Sequence, residues 1–273
     1  MNRRGKPFLL YALIALFAAV TVFPILWVVL SSFKPQSELF TVPLKLLPSN
    51  WTTSNYVAAV GQGNFLQYFS NTVFVAVAAT LITVTINLMA GYALAKYKFP
   101  GREAIFTIML ATLMIPLQVI MVPIFLQLKA LGLLNSLWGI IIPPAATPTG
   151  VFLARQYLQT LPDSLIEAAR IDGAGELFIF RKVIAPLAKP VIATIAIFSF
   201  MWRWNDYVWP LIAINDPKKY TLQLAIANLT GEFGTDYTSV LAISAISMIP
   251  MLIIFIIFQK QFVQGTVESG MKG

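Results

Sequence analysis

The sequence places one oppositely charged pair, Arg203 and Asp206, inside an otherwise uncharged stretch. Residues three apart on a helix share a face, so these side chains are predicted to pair with each other. Trp204 and Asn205 lie between them, and an aromatic ring offers the apolar face on which a sugar ring stacks. Two interpretations stay open. The pair is structural, or Trp204, Asn205 and Asp206 line a path through which a polar solute passes, with Arg203 holding Asp206 in place.

The sequence contains few residues that could support catalysis or bind a metal. The chain has no cysteine and no histidine, which excludes disulfides, thiolate or imidazole metal ligands and serine–histidine nucleophiles. It also contains no Gly-x-x-x-x-Gly-Lys-Ser/Thr segment, so ATP cannot be bound through a phosphate loop of that kind. We therefore expect a protein that is not an enzyme and that carries no cofactor of its own.

The elements that must position these residues are long apolar helices. Of 273 residues, 58% are hydrophobic and 11% charged, whereas soluble domains are about 25% charged. A helix crosses the hydrocarbon core with about 20 residues. Uncharged windows of that length predict an all-α polytopic membrane protein with six spans, forming a single domain over 1–273. The spans are 8–30, 65–95 (with its helix at about 71–94), 104–128, 130–154, 190–214 (interrupted at Arg203 and Asp206) and 237–259.

The basic residues predict the orientation. With both termini in the cytoplasm, thirteen of the 19 lysines and arginines fall in cytoplasmic segments and five outside, as the positive-inside rule requires. The cytoplasmic set is Arg3, Arg4, Lys6, Lys96, Lys98, Arg102, Arg155, Arg170, Arg181, Lys182, Lys189, Lys260 and Lys272. The net charge of +8 is therefore attributed to a lipid-facing protein and not to nucleic-acid binding.

Uncharged polar residues and prolines also lie at membrane depth. Asn71, Asn87 and Gln118 are predicted to hydrogen-bond between helices, with lining of the solute path as the alternative, for Gln118 above all. Prolines should interrupt regular helix in the third and fourth spans and free backbone carbonyls. They are Pro116 and Pro123 in the third span, and Pro143, Pro144 and Pro148 near the fourth.

A loop of about 160–190, predicted to be cytoplasmic, reads as two short helices. Pro162 and Asp163 signal a helix start, and Asp172-Gly173 signals its end. Four residues recur at three- and four-residue spacing on the first helix and give it a small-residue face, namely Leu165, Ala168, Ala169 and Asp172. Leu177, Phe180 and Ile184 form an apolar face on the second. Such a small-residue face is suited to close packing against another protein, although a loop lying on the membrane surface is the simpler alternative.

This loop resembles the EAA loop of ATP-binding-cassette (ABC) importer permeases, in which the loop docks on the ATPase subunit. The matching residues are Glu167-Ala168-Ala169, Asp172-Gly173-Ala174, Ile184 and Pro186. The resemblance implies a type I importer permease (MetI-like) fold. It also implies that Glu167, Ala168, Ala169, Asp172, Gly173, Ala174 and Pro186 couple the membrane helices to the ATPase. Gly175 departs from the pattern, since the family often has serine there.

The resemblance extends along the chain and is strongest to carbohydrate permeases similar to the second membrane subunit of the maltose importer. It implies import by alternating access across a bacterial or archaeal cytoplasmic membrane. The implied partners are a homologous second permease, a dimeric ATPase that binds ATP and magnesium, and an extracytoplasmic solute-binding protein. A sugar or oligosaccharide is the expected substrate, and glycerol 3-phosphate or a related polyol phosphate is the alternative. The matching segments are 31–34, 93–96, 99–102, 115–118, 131–139, 204–207 and 264–273.

Overall fold

A computed structural model describes residues 5–61, 64–231 and 234–270, and side chains within 10–61, 64–229 and 235–259. The first part of the chain forms eight helices, namely α1 (Gly5–Ser31), α2 (Gln36–Leu39), α3 (Ser54–Gly61), α4 (Phe65–Lys96), α5 (Arg102–Ala111), α6 (Leu117–Ala130), α7 (Leu137–Ile141) and α8 (Pro148–Gln159). The predicted placements of Arg3, Arg4 and Lys272, and the end of the C-terminal tail at Met271–Gly273, lie outside the described residues.

The second part begins with the predicted loop and ends in the longest helix of the described chain. Its helices are α9 (Ser164–Ile171), α10 (Glu176–Ile179), α11 (Ala185–Leu187), α12 (Lys189–Trp204), α13 (Val208–Ala213), α14 (Leu222–Asn228) and α15 (Tyr237–Gly270). Short 3-10 helices lie at Thr112–Met114 and Pro217–Lys219, and a π-helical turn lies at Phe180–Ile184. One hairpin pairs β1 (Thr230–Gly231) with β2 (Gly234–Thr235).

Three helices of the described residues are long and apolar enough to cross a membrane, namely Leu10–Ser31, Phe65–Lys96 and Tyr237–Gln259. Two bent helix pairs bring the number to five if each pair is one span, with bends of 106° between Arg102–Met114 and Leu117–Ala130 and of 82° between Glu176–Leu187 and Lys189–Trp204. The all-α prediction is confirmed, with the two-residue strands as its small exception. The count of six spans stays a prediction.

The third and fourth predicted spans are not continuous helices. The third bends at Ile115-Pro116, whereas Pro123 lies inside α6. The fourth, predicted over 130–154, consists of α7 and the start of α8 with an irregular segment between them. The break contains Pro143 and Pro144, and proline has no N–H to donate to a helix. Pro148 instead begins α8, where a missing N–H has no consequence.

The chain divides into two compact units, residues 1–66 with 225–250 and residues 67–224 with 251–273. In the first unit, Lys34 is fully buried, and its Nζ donates to the carbonyl of Lys45 at 2.6 Å and lies 4.4 Å from the Trp27 ring centroid. The Asn55 amide donates to the carbonyls of Ser32 and Lys34. These bonds hold the segment that follows α1 against the start of α3.

The two largest buried apolar clusters of the second unit pack against different halves of α4. One cluster joins Val75 and Ala79 of α4 to α7 and α13. The other joins Leu88 and Tyr92 of α4 to α8, α12 and the 160–190 loop. Two asparagines of α4 bond to other segments of the unit, as predicted. Asn87 is fully buried and its Nδ2 donates to Thr147 Oγ1 at 2.7 Å, while Asn71 Nδ2 donates to the carbonyls of Lys218 and Tyr220.

Candidate functional site

The 160–190 loop begins with a helix that ends where the sequence predicted. α9 closes at Ile171, and Gly173 follows with φ +78°. The Gly173 N–H donates to the Arg170 carbonyl and the Ala174 N–H to the Ala169 carbonyl, which is the paired bonding of a Schellman C-cap. Glycine takes this left-handed conformation without steric penalty. The turn between α9 and α10 is therefore fixed by its own backbone.

Three isoleucines anchor the loop to the rest of the second unit. Ile166, Ile179 and Ile184 are at most 4% exposed and pack with Leu88 and Tyr92 of α4. The exposed Leu165 agrees with the face of the first helix that was predicted to pack against another protein. The predicted apolar face of the second helix is correct only in part, because Ile184 is buried and Leu177 is not. Leu165 and Leu177 are 42% and 56% exposed. For the second helix the π-helical turn supplies a reason, since its extra residue rotates Leu177 relative to Ile184 compared with a regular 3.6-residue period.

Most of the predicted coupling residues are exposed on the surface of the loop. Glu167, Ala168, Asp172 and Gly173 are exposed, Ala169 and Ala174 are half-buried, and Pro186 is exposed near the start of α11. Leu165, which was predicted on this face, flanks them together with three large apolar side chains that the sequence analysis did not place here, namely Ile171, Leu177 and Phe178. Apolar residues exposed together in this way are typical of a protein-binding surface. Their assignment to coupling stays a prediction.

Charged side chains hold the loop against the end of α4. Lys96 Nζ donates to Asp163 Oδ1 at 2.6 Å and to the Leu161 carbonyl at 2.5 Å. The Tyr97 hydroxyl donates to Glu176 Oε2, and Arg170 Nε donates to Glu176 Oε1 at 2.8 Å. Hydrogen bonds from Lys96 lower the pKa of Asp163, and those from Arg170 and then Tyr97 lower the pKa of Glu176. The pKa of Tyr97 is raised, mainly by burial and to a smaller extent by the bond to Glu176.

The Arg203–Asp206 pair forms, but not along one continuous helix. α12 ends at Trp204, so Asp206 lies in the break before α13, which corrects the prediction that both residues occupy one helix face. Arg203 Nη1 donates to Asp206 Oδ2 at 2.8 Å, and Asp206 Oδ1 accepts the Trp209 N–H at 3.2 Å. Both side chains are 10% exposed. The carboxylate thus accepts one hydrogen bond from Arg203 and another from a backbone N–H in the first turn of α13.

The other residues predicted for the solute path are not brought together in one surface. Trp204 is 1% exposed and packs between the rings of Phe69 and Phe200. Asn205 is exposed and its Nδ2 donates to the Met201 carbonyl at 2.9 Å. Gln118 is exposed in the first turn of α6. The role of these residues in a solute path stays a prediction.

A cavity of about 180 Å³ lies between α4, the start of α8 and α12. Hydroxyl and aromatic side chains share its wall with aliphatic ones, and the lining residues are Thr83, Thr147, Thr149, Gly150, Leu153, Ile195, Phe198, Ser199 and Trp202. Thr147 is held in place because its Oγ1 accepts from Asn87 and from the Gly150 N–H. Sequence reasoning missed Thr147, Thr149 and Ser199, since isolated hydroxyls in apolar helices are usually bonded to their own backbone.

The fold and the loop together define a multi-pass membrane permease. The family of binding-protein-dependent transport system inner membrane components matches residues 86–267, and the chain belongs to this family. Members are transport components and not catalytic enzymes, so the family and the function class predicted from the sequence are confirmed.

Relatives with known names agree with this assignment. The chain is 36% identical to the arabinooligosaccharides transport system permease protein AraQ of Halalkalibacterium halodurans over the whole of both chains. It is 33% identical to the sn-glycerol-3-phosphate transport system permease protein UgpE of Salmonella typhi, covering 98% of each chain. It also resembles a chain in the crystal structure of a bacterial ABC transporter involved in import of the acidic polysaccharide alginate. That match has a TM-score of 0.82 and 30% identity and covers 95% of this chain and 98% of the other, which confirms the predicted type I permease fold.

Proposed function

We propose that this chain is one of two permease subunits of an ABC importer that carries a sugar or oligosaccharide into the cytoplasm. In this proposal a dimeric ATPase binds ATP and magnesium and docks on the 160–190 loop, which lies in the cytoplasm with both termini. An extracytoplasmic solute-binding protein delivers the substrate. The observation that carries the proposal is the form of the loop. It is anchored by three buried isoleucines and presents Glu167 and Asp172 outward beside a fixed turn.

The cavity supports a sugar as the substrate. Hydroxyl groups of Thr147, Thr149 and Ser199 can exchange hydrogen bonds with sugar hydroxyls, and Trp202 offers an aromatic face. A volume of about 180 Å³ is smaller than usual ligand pockets of about 300–1,000 Å³. A permease partner would complete the site, because each of the two subunits supplies half of the path.

A phosphate substrate has weaker support in the geometry. The similarity to UgpE keeps glycerol 3-phosphate as the second candidate, and Arg203 is the cation that a phosphate could meet. Arg203 is, however, already bonded to Asp206 at 2.8 Å and 10% exposed. Taking that guanidinium for a phosphate would leave a buried carboxylate unpaired.

The test is uptake by the reconstituted complex of both permeases, the ATPase and the binding protein in vesicles. Arabinose- and glucosamine-based oligosaccharides, other sugars and glycerol 3-phosphate are compared, with ATP hydrolysis measured in parallel. We expect ATP-dependent uptake of at least one sugar and none of glycerol 3-phosphate. Uptake of glycerol 3-phosphate alone would replace the sugar with the second candidate. Uptake that proceeds without ATP would contradict an ABC importer.

Charge reversal at Glu167 tests the docking part of the proposal. Glu167→Lys should abolish uptake and separate the ATPase from the membrane subunits, because an exposed carboxylate facing a partner cannot be inverted without like-charge repulsion. Lys182→Glu is the matched control, since it reverses another exposed charge of the same loop that lies outside the predicted coupling set. Normal uptake in Glu167→Lys would contradict docking at this residue.

A further inference from the structure

Polar contacts join the end of α4 to the 160–190 loop at two separate points. Lys96, the last residue of α4, bonds to Asp163 immediately before α9. Tyr97, the next residue, bonds to Glu176, the first residue of α10. One end of a membrane helix therefore holds the beginnings of both short helices of the loop.

The two attachments are also linked to each other. Arg170 in the last turn of α9 donates to Glu176 at 2.8 Å, and its guanidinium carbon lies 5.8 Å from the centroid of the Tyr97 ring. Glu176 thus accepts from α9 through one oxygen and from the end of α4 through the other. Tyr97 in turn packs edge to face on Tyr92, a residue of the buried cluster that anchors the loop.

These bonds have a use that folding stability does not explain. The Arg170 and Glu176 side chains are 45% and 49% exposed, and exposed ion pairs contribute little to stability. The Lys96–Asp163 pair lies at the edge of the buried region, with Lys96 5% and Asp163 72% exposed. The apolar contacts beneath them are non-directional, so they hold the loop against α4 without fixing how it turns. Hydrogen bonds at two points fix that orientation, because they require defined directions at both.

We propose that Lys96, Tyr97, Asp163, Arg170 and Glu176 form a brace that makes the loop and the end of α4 move as one body. The inference rests on the proposed function, in which the loop receives motion from the ATPase. Lys96 and Tyr97 are then positioning residues for coupling. They transmit the loop's displacement to α4, which carries Thr83 of the cavity at its middle. Without the brace, the loop rotates on its isoleucines and part of each ATP-driven displacement is lost before it reaches α4.

The decisive measurement is sugar uptake per ATP hydrolysed in the reconstituted complex. Tyr97→Phe removes only the hydroxyl, and Glu176→Gln removes the charge that holds Arg170. Each should lower the ratio about two- to thirtyfold, the range for residues that modulate coupling without contacting a ligand. The double variant should lower the ratio by less than the product of the two single effects, because Tyr97 and Glu176 belong to one hydrogen-bonded group. Tyr68→Phe is the matched control, since it removes a tyrosine hydroxyl near the other end of α4.

A ratio equal to wild type in both single variants, with assembled complexes, would overturn the brace. If Tyr97→Phe does not assemble, Glu176→Gln decides on the same ratio. A wild-type complex that imports no sugar would instead count against the proposed function. In that case amide hydrogen exchange over 164–179 in the assembled complex still tests the brace. Protection should fall in Tyr97→Phe and stay unchanged in Tyr68→Phe, and unchanged protection in Tyr97→Phe would refute it.

Discussion

Two arginine–carboxylate pairs of the second unit have the same length and different surroundings. Arg170–Glu176 in the loop and Arg203–Asp206 at the end of α12 both have an N to O distance of 2.8 Å. The first pair has side chains 45% and 49% exposed, whereas both side chains of the second are 10% exposed. Burial, and not distance, is therefore what distinguishes them.

The difference indicates what each pair can do. In water an ion pair exchanges hydration for a contact of nearly equal free energy, so the Arg170–Glu176 pair adds little to folding stability. A buried charge has no water to return to, and losing one partner strands the other. The loop pair can thus set the direction of a contact without adding much stability, while the buried pair holds the break between α12 and α13 in one arrangement and stabilises the fold.

The largest effect is expected from removing one half of the buried pair. Asp206→Leu should lower the free energy of unfolding by about 3–5 kcal/mol, because it leaves a buried, unpaired guanidinium. The double change Arg203→Met with Asp206→Leu should recover most of that loss. Thermal unfolding of the purified complex measures the stability, and uptake is measured alongside. Full uptake in the double variant would refute a role for Asp206 in the solute path, whereas restored folding without uptake would support one.

A change at the loop turn should affect transport more than folding. Gly173→Val places a β-branched residue at φ +78°, a strain of about 1–3 kcal/mol that opening of the exposed turn relieves. Uptake should fall at least about tenfold while membrane insertion is normal. Gly61→Val is the control, since Gly61 has free space around it and no positive φ. Normal uptake in Gly173→Val would show that the turn is not needed for coupling.

The exposed pair provides the direct counterpart of the first prediction. Arg170→Met should change the free energy of unfolding by less than about 1 kcal/mol, as for other exposed ion pairs. Arg203→Met, measured in the same thermal unfolding experiment, should show several times that effect. Equal losses in the two variants would mean that exposure is not what separates the pairs.

Acidification should release the loop pair only at low pH. The bonds from Arg170 and Tyr97 hold the pKa of Glu176 below its ordinary value of 4.5. A carboxylate with a lowered pKa stabilises the folded state above its unfolded-state value, and this contribution is lost as pH falls through the folded-state value. We therefore compare amide protection over 164–179 in the wild-type chain and in Glu176→Gln. The wild type should be better protected by the same amount at pH 7 and at pH 5, and this difference should shrink below pH 4.5. A difference that declines already between pH 7 and pH 5 would contradict this assignment.

The smallest effect is expected at the start of α10. Gly175 occupies the N-cap with extended backbone and offers no side-chain oxygen. An added Cβ has free space there, so Gly175→Ser should stabilise α10 by a few tenths of a kcal/mol, the usual difference between these caps. Slower amide exchange over 176–179 is the measurement. Faster exchange would mean that the serine disturbs the turn.

The sequence by itself predicted much of this protein because its strongest signals are local. Apolar windows predicted the long helices, and Asp172-Gly173 predicted the end of α9, since a left-handed cap is specified within a few residues. The prolines predicted breaks in the third and fourth spans. Asn71 and Asn87 were predicted to bond between helices, because an amide at membrane depth requires a partner.

Other features depended on contacts that no local pattern contains. The period of 3.6 residues placed Leu177 on one apolar face with Ile184, but Ile179 is buried and Leu177 is exposed, because the fit against Leu88 and Tyr92 decides the rotation of the loop. Trp204 is enclosed by Phe69, which is more than a hundred positions away in the sequence. The brace joins Lys96 to Asp163 across 67 positions and Tyr97 to Glu176 across 79. Propensity and periodicity act over a few residues, whereas packing and ion pairing are set by which helices meet, and only the tertiary structure decides that.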